Sequence, residues 1–180
     1  MDIFAFLRQL QDPQMNDLSF EQRFSLLVDH QWTERQNRQI SRLLRAAKLK
    51  IHASPEDIDY RTPRGLDRAL FRQLLTGQWL TSHHNLLITG PTGIGKTYLV
   101  CALATAACHQ GFQVRYYRMS RLFQEIMLTK GDGTYGKLAG ELTKVDLLIL
   151  DDWDWPRSEL QRAENYSIFW MIAYRSIRLA

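Results

Sequence analysis

The chain has 180 residues, of which 45% are apolar and 23% are charged, and its net charge is +4. This composition excludes a wholly disordered chain, and its mildly basic balance permits a nucleic-acid partner without requiring one. Two cysteines exclude a disulfide-stapled secreted scaffold, and no apolar run reaches the roughly 20 residues of a membrane span. The first ten residues do not have the layout of a signal peptide. We therefore expect a cytoplasmic protein that has no membrane contact.

The first half of the chain has the pattern of a polar, helical segment. Ser19 and Gln22 have the spacing of a capping box, and the helix that they open is expected to run to Lys50. Its apolar side chains recur every three or four residues, which predicts an amphipathic helix. They are Phe20, Phe24, Leu27, Val28 and Trp32. We expect the aromatic members to belong to a core rather than to a ligand site.

Arginines follow at helical spacing in the same segment. Four of them, three, four and three residues apart, lie within one quarter of a helix circumference, namely Arg35, Arg38, Arg42 and Arg45. Such a stripe suits the neutralisation of DNA phosphates without sequence readout, and a solvated helix face is the alternative. A second series could serve DNA, nucleotide or a neighbouring subunit, and consists of Arg61, Arg64, Arg68 and Arg72.

From Leu86 onward, strand-like and helix-like segments alternate. Short apolar runs at 86–89, 112–117 and 146–150 predict strands, and residues 95–110, 120–130 and 135–143 predict helices. In the second helix the apolar side chains are expected to face inward, namely Leu122, Phe123, Ile126 and Met127. A shorter helix is expected at 65–75. The rhythm predicts an α/β domain with a parallel sheet.

A glycine-rich turn between the first strand and its helix has a phosphate-binding pattern. Residues Gly90-Pro91-Thr92-Gly93-Ile94-Gly95-Lys96-Thr97 fit G-x-x-x-x-G-K-[ST] at every fixed position. Its glycines let backbone N–H groups point at phosphates, while Lys96 would bridge the β- and γ-phosphates of ATP and Thr97 would bind Mg²⁺. The alternative is a glycine turn with an incidental lysine.

Paired carboxylates close the third predicted strand. Asp151 and Asp152 follow four apolar residues, so they lie at the carboxyl end of a strand in the same sheet. We interpret Asp151 as the acid on the Mg²⁺ side and Asp152 as the base that polarises the attacking water. The alternative is a pair of solvated acids that end a strand.

Together these stretches resemble the IstB-like transposition helper ATPases of bacterial insertion sequences, which are relatives of the DnaC-type helicase loaders in the AAA+ class. The similarity covers roughly residues 18–152. It implies a three-layer P-loop AAA+ fold behind a helical N-terminal segment. It also implies a protein that binds DNA, oligomerises with ATP and directs a transposase.

By this resemblance, ATP contacts Gly90 to Thr97 and the adjoining Tyr98, and Mg²⁺ is held by Thr97 and Asp151. Lys96 and Asp152 carry the catalytic roles, and Asp152 stands where many AAA+ proteins have a glutamate. Two alternatives stay open, a DnaC-like replicative helicase loader and a DNA-binding remnant that does not hydrolyse ATP.

The resemblance divides the chain into four parts. Residues 1–52 form a basic DNA-binding segment, 53–84 a linker with a short helix, 85–152 a partial ATPase core, and 153–180 a tail unlike the family. We expect the core to lack its C-terminal strands, because sensor and arginine-finger segments find no counterpart in the tail. Displacing the codons of residues 165–172 by two nucleotides yields a Leu-x-x-apolar-Leu-Asp-Asp pattern, which predicts a frameshift that the gene sequence would test.

Overall fold

The computed structural model describes residues 18–61, 65–152 and 166–173. The chain divides into two compact units, Met1–Arg42 and Leu43–Ala180. Within the described residues, none of the helices combines the length and the apolar character that crossing a bilayer demands.

The first described element is helix α1, Phe20–Ala47, which begins with the predicted capping box. The Ser19 N–H donates to the Gln22 Oε1 at 2.9 Å, and the Gln22 N–H donates to the Ser19 Oγ at 3.3 Å. The helix ends at Ala47 rather than at Lys50. Its end coincides with a left-handed backbone at Lys48, where φ is +51°, a conformation that commonly stops a helix.

The apolar face of α1 is exposed, so the prediction that its aromatic side chains belong to a core is wrong. Phe20 is 71% exposed, Phe24 52% and Trp32 66%, and the first two rings stack on each other 6.1 Å apart. Only the last turns of α1 contain buried residues, Leu43 and Ala47. Helical periodicity identifies an apolar face, but it does not say whether anything covers that face.

Three short helical elements lead from α1 to the sheet. They are a 3₁₀ turn, Pro55–Asp57, and two helices, α2 at Arg68–Leu75 and α3 at Gln78–Thr81. Helix α2 starts later than predicted because the Asp67 side chain caps it, accepting from the N–H of Ala69 at 2.7 Å. Sequence periodicity did not predict α3, which has a single turn.

The sheet has four strands in the order β1-β4-β3-β2. They are β1 (Leu86–Pro91), β2 (Val114–Arg118), β3 (Leu147–Asp151) and β4 (Tyr166–Ala173). Strands β2 and β3 are parallel, and β4 pairs antiparallel with both β1 and β3. Consequently β1, β2 and β3 point in one direction and β4 points in the other, so the sheet is mixed rather than wholly parallel.

Strand β4 lies within residues 153–180, the tail that the sequence analysis placed outside the ATPase core. Residues 166–173 are rich in aromatic and β-branched side chains, which favour a strand. The register pairs Leu150 with Trp170 and Gly90 with Ser167, so β4 begins at the end of the sheet where β1 and β3 finish. Strands β3 and β4 are therefore antiparallel neighbours, whereas a parallel pair would have both starting points at the same end of the sheet.

Helices cover both faces of the sheet, as the predicted three-layer α/β class requires. They are α4 (Lys96–His109), α5 (Met119–Gly131) and α6 (Tyr135–Leu142). Leu147 and Ile149 of β3 pack in the cluster that contains α4, while Leu148 and Leu150 pack with α5. Because side chains alternate along a strand, this assigns the next odd position, Asp151, to the α4 face.

The inward face of α5 differs from the prediction. Met119 and Leu122 are buried and Ile126 is half-buried, whereas Phe123 is 58% exposed and Met127 is 72% exposed. The buried positions are three and four residues apart, so they form the stripe that faces the sheet. Phe123 and Met127 lie about 100° further around the helix and face away from it.

Candidate functional site

The glycine-rich turn joins β1 to α4. Gly93 and Gly95 have φ values of +87° and +93°, which side chains with a Cβ rarely adopt. Gly95 is also the N-cap of α4, so the free N–H groups of the first helical turn face the loop. Pro91 and Thr92 are exposed and Ile94 is half-buried. A backbone of this shape, open to solvent at the start of a helix, suits a phosphate group.

Lys96, the first residue of α4, is only 5% exposed. Its ammonium group donates to the carbonyl oxygen of Gly90 at 2.7 Å and also to that of Pro91. Burial lowers the pKa of Lys96, and the negative charge of Asp151 acts in the opposite direction. The ammonium is therefore held inside the loop, where it would meet the phosphates of a nucleotide.

Thr97 and Tyr98 follow Lys96 in the first turn of α4, and both are half-buried. The Tyr98 hydroxyl donates to the carbonyl oxygen of Ser54 at 3.4 Å, which links this turn to the segment before the 3₁₀ turn. The predicted nucleotide residues from Gly90 to Tyr98 thus form one continuous strand end, loop and helix start.

Asp151 is fully buried at the end of β3. One carboxylate oxygen, Oδ2, accepts from the Lys50 ammonium at 3.1 Å and from the Tyr116 hydroxyl, and the other accepts from the Asp152 N–H at 2.8 Å. Burial raises the pKa of Tyr116, and its hydrogen bond to Asp151 raises it further. Tyr116 is therefore a neutral donor to this carboxylate.

Asp152 has a different environment from its neighbour. Its backbone is left-handed, with φ of +55°, and its side chain is half exposed. The carboxylate lies 3.6 Å from the Nε of Arg118, at the end of β2. The predicted metal-side acid and the predicted base are thus adjacent in sequence, but one is buried on the α4 face and the other is paired at the surface.

The predicted DNA-binding arginines are all on α1 and are all exposed, namely Arg35, Arg38, Arg42 and Arg45. Arg38 pairs with Glu34 at 3.5 Å, one turn earlier. In the second series, Arg64 lies outside the described residues. Arg68 lies over the ring of Tyr60, 5.1 Å from its centroid, so it has a structural contact of its own.

Three partners of the acidic pair were not predicted from the sequence: Lys50, Tyr116 and Arg118. Strand alternation could have indicated Tyr116, because Val114 and Tyr116 share a face of β2 and β2 runs beside β3. Arg118 stands opposite Asp151 in the register of the same two strands. No sequence signal indicated Lys50, which is 101 positions away from its partner.

The two cysteines, Cys101 and Cys108, are buried and unbridged on α4, as their spacing predicted. Burial raises the pKa of Cys108 to about 11, and burial is also the main cause of the raised pKa of Cys101. Neither thiol has the depressed pKa of a nucleophile. Among the described residues, no three His, Cys, Asp or Glu side chains come together as a metal site.

Comparison with known proteins identifies the family to which this chain is similar. The family model described as IstB-like ATP binding protein matches residues 3–178. One relative is described as an insertion-sequence ATP-binding protein of Sinorhizobium fredii and is 46% identical over 149 residues, which are 83% of this chain and 61% of the relative. Another, the ATP-binding protein of insertion sequence IS1162 from Pseudomonas fluorescens, is 45% identical over 78% of this chain and 62% of its own length.

A more distant relative extends over more of the chain. It is described as an ATP-binding protein in an insertion sequence of Mycobacterium tuberculosis, and it is 30% identical over 96% of this chain and 67% of its own length. The chain spans about three fifths of the length of the two relatives from Sinorhizobium and Pseudomonas.

Proposed function

Because the chain belongs to the family of IstB-like ATP-binding proteins, we propose that it binds ATP and Mg²⁺ at the loop from Gly90 to Thr97. The position of Lys96 is the main support for this. Its buried ammonium is directed into the loop at the start of α4, on the face of the sheet that also carries Asp151. A cation, free backbone N–H groups and the positive end of a helix dipole favour a polyphosphate at this position.

The residues present suit Mg²⁺ as well as ATP. Magnesium usually binds through one or two carboxylates together with phosphate oxygens and waters, so it does not need a cluster of acids. Asp151 already attracts one cation in the nucleotide-free chain, the ammonium of Lys50. When bound, Mg²⁺ would neutralise charge on the β- and γ-phosphates, and Thr97 and Asp151 are the residues that would hold it.

We propose Asp152 as the residue that orients the attacking water for hydrolysis. Its carboxylate is half exposed one residue beyond Asp151, so it can reach solvent beside the phosphates. The ion pair with Arg118 holds it away from that task, and an exposed pair of this kind is worth about 1 kcal/mol or less. Breaking the ion pair with Arg118 when ATP binds therefore costs little free energy.

We propose that α1 contacts DNA through its arginine face and that the protein works with a transposase and with further copies of itself. The relatives are described as proteins of insertion sequences, which are mobile DNA. The stripe lies on an exposed part of the helix, where Arg38 pairs with Glu34. Contacts of this kind bind phosphates and do not distinguish sequences.

Binding and hydrolysis can be tested separately with two variants. Lys96→Ala removes a charge-assisted contact to the phosphates, and we expect ATP affinity to fall by a factor of about 10 to 100 in a fluorescent-nucleotide titration. Asp152→Asn should bind ATP like the original chain but should hydrolyse it at least about 100-fold more slowly. Lys137→Ala, an exposed lysine on α6, is the charge control.

The outcomes separate an ATPase from a DNA-binding protein that does not hydrolyse ATP. Equal ATP affinity in the original chain and in Lys96→Ala would contradict binding at the loop. Intact binding with equal, near-zero hydrolysis in the original chain and in Asp152→Asn would support a DNA-binding protein that holds ATP without turnover.

DNA binding has its own test. We expect the triple variant Arg35→Ala, Arg38→Ala, Arg42→Ala to bind duplex DNA more weakly for every sequence. The slope of log affinity against log salt should fall by about 0.9 for each phosphate contact that is lost. An unchanged slope would exclude this face of α1 as the DNA-binding surface.

A further inference from the structure

The segment that follows α1 places a lysine on the buried acid of the site. The Lys50 ammonium lies 3.1 Å from the Asp151 Oδ2. The Lys50 side chain is 34% exposed, whereas that of Asp151 is 1% exposed. A residue before the whole α/β core therefore supplies the cation for the carboxylate at the end of β3.

The carboxylate of Asp151 has three described partners, and they differ in how easily they can leave. The Tyr116 hydroxyl is fixed by a buried side chain on β2, and the Asp152 N–H belongs to the backbone at the end of β3. Lys50 lies in a segment outside helices and strands, at the end of a flexible four-carbon side chain that reaches solvent. Its ammonium is the one partner that can withdraw without moving a strand.

An ionised carboxylate that is buried is costly unless a cation and hydrogen-bond donors compensate it. Lys96 does not supply this cation directly, because its ammonium donates to the loop carbonyls of Gly90 and Pro91. Lys50 supplies it in the chain without nucleotide. A divalent cation near the Asp151 carboxylate would meet the positive charge of Lys50, and two cations that share one carboxylate repel each other.

We propose that Lys50 is the counter-ion of Asp151 in the nucleotide-free chain, and that Mg²⁺ bound with ATP displaces its ammonium. This rests on the proposed binding of ATP and Mg²⁺ at the loop. Lys50 is then a positioning residue that pairs with the metal-binding carboxylate and keeps it oriented until the metal arrives. The segment directly after α1 thereby responds to the metal and not to the nucleotide alone.

The original chain can report this displacement through the reactivity of its lysine amines. We would measure acetylation rates by peptide mass spectrometry without nucleotide, with ATP and EDTA, and with ATP and Mg²⁺. Release of the ammonium from the buried carboxylate exposes the amine to the reagent, so we expect the Lys50 rate to rise about fivefold, and only when Mg²⁺ is present. Lys48 is the internal control, because it is exposed, two residues away, and should keep its rate.

Variants give a second measurement that does not depend on labelling. Lys50→Met should lower the melting temperature without ligand and reduce, by about threefold or more, the Mg²⁺ concentration that gives half of the ATP-dependent stabilisation. Lys50→Arg keeps the cation and should restore the original Mg²⁺ dependence. Lys48→Met removes the same charge beside the site and should change neither quantity.

The results distinguish this inference from the function on which it rests. If the original chain shows no stabilisation by ATP and Mg²⁺, both are overturned. If that stabilisation is present and the Lys50 acetylation rate is the same with and without Mg²⁺, only the displacement is wrong. A Lys50→Met variant that needs more Mg²⁺ than the original chain would also overturn it, because Lys50 would then support the loaded state. Should that variant not fold, the labelling of the original chain decides.

Discussion

Helices α4 and α1 differ in how much of each is buried. Of the 14 residues of α4, nine are buried, including Lys96 and both cysteines. Helix α1 is twice as long, at 28 residues, and buries only Leu43 and Ala47. Helix α4 is therefore held by packing from several sides, whereas most of α1 depends on its own hydrogen bonds and its cap.

The difference indicates how the two regions can work. A phosphate-binding loop must keep its N–H groups aligned before the ligand arrives, and a densely packed helix start provides that rigidity. A helix with an exposed arginine face and an exposed apolar face is instead suited to contacts outside its own chain.

The largest expected effect comes from the packed helix. Leu103, near the middle of α4, is 3% exposed, and Leu103→Ala should lower the free energy of unfolding by about 2 to 5 kcal/mol, because it leaves a cavity. Urea unfolding followed by circular dichroism measures this. A loss below about 1 kcal/mol would show that α4 is not the centre of the core.

The second prediction uses the buried thiol near the end of α4. The pKa of Cys108 is raised from 9.0 to about 11 by burial. Above pH 9 the unfolded chain releases this proton while the folded chain keeps it. The folded chain therefore keeps its full stability with respect to this thiol below pH 9, and it loses part of that stability as the pH rises toward 11.

Cys108→Ala should remove this pH dependence. The original chain should lose about 2 kcal/mol more stability than the variant between about pH 8 and pH 10.5, measured by urea unfolding under reducing conditions. Burial lowers the pKa of Lys96, so deprotonation of this residue makes the folded chain more stable as the pH rises. This contribution is the same in the original chain and in the variant. Parallel pH profiles would mean that Cys108 is accessible to water in the folded chain.

Much of the α4 side of this contrast could be predicted from the sequence. The glycine-rich loop and the acidic strand end are local patterns, so their residues could be proposed as a nucleotide site before the fold was known. The sheet alternation that buries Asp151 follows from the same strand. The ion pair between Lys50 and Asp151 could not be predicted, because it joins positions 101 residues apart through tertiary packing.

The α1 side shows where periodicity stops being informative. The spacing of Phe20, Phe24 and Trp32 correctly gives a helix and one apolar face, but the predicted burial of that face is wrong. Burial depends on which other element covers a face, and a single helix pattern does not contain that information. The antiparallel place of β4 was missed for a similar reason, since strand pairing depends on where the connection ends.

The cap of α1 should matter more than an exposed leucine on the same helix. Ser19→Ala removes the acceptor for the Gln22 N–H, and we expect it to cost about 0.5 to 1 kcal/mol of helix stability. Hydrogen exchange at the first turns of α1 should become faster, while exchange in α4 should not change. Gln22→Glu keeps the reciprocal side of the capping box and is the control. Faster exchange in both helices would mean that they unfold as one unit.

The smallest expected effect is that of a leucine-to-alanine change at an exposed position of α1. Leu26 on α1 is 44% exposed, so Leu26→Ala should change the free energy of unfolding by no more than about 0.5 kcal/mol. The chemical change is the same as in Leu103→Ala, so only the surroundings of the side chain differ. A loss comparable with that of Leu103→Ala would show that the side of α1 that carries Leu26 is covered in solution. Repeating the measurement at several protein concentrations then identifies the cover, because a second copy of the chain makes stability rise with concentration and a contact within one chain does not.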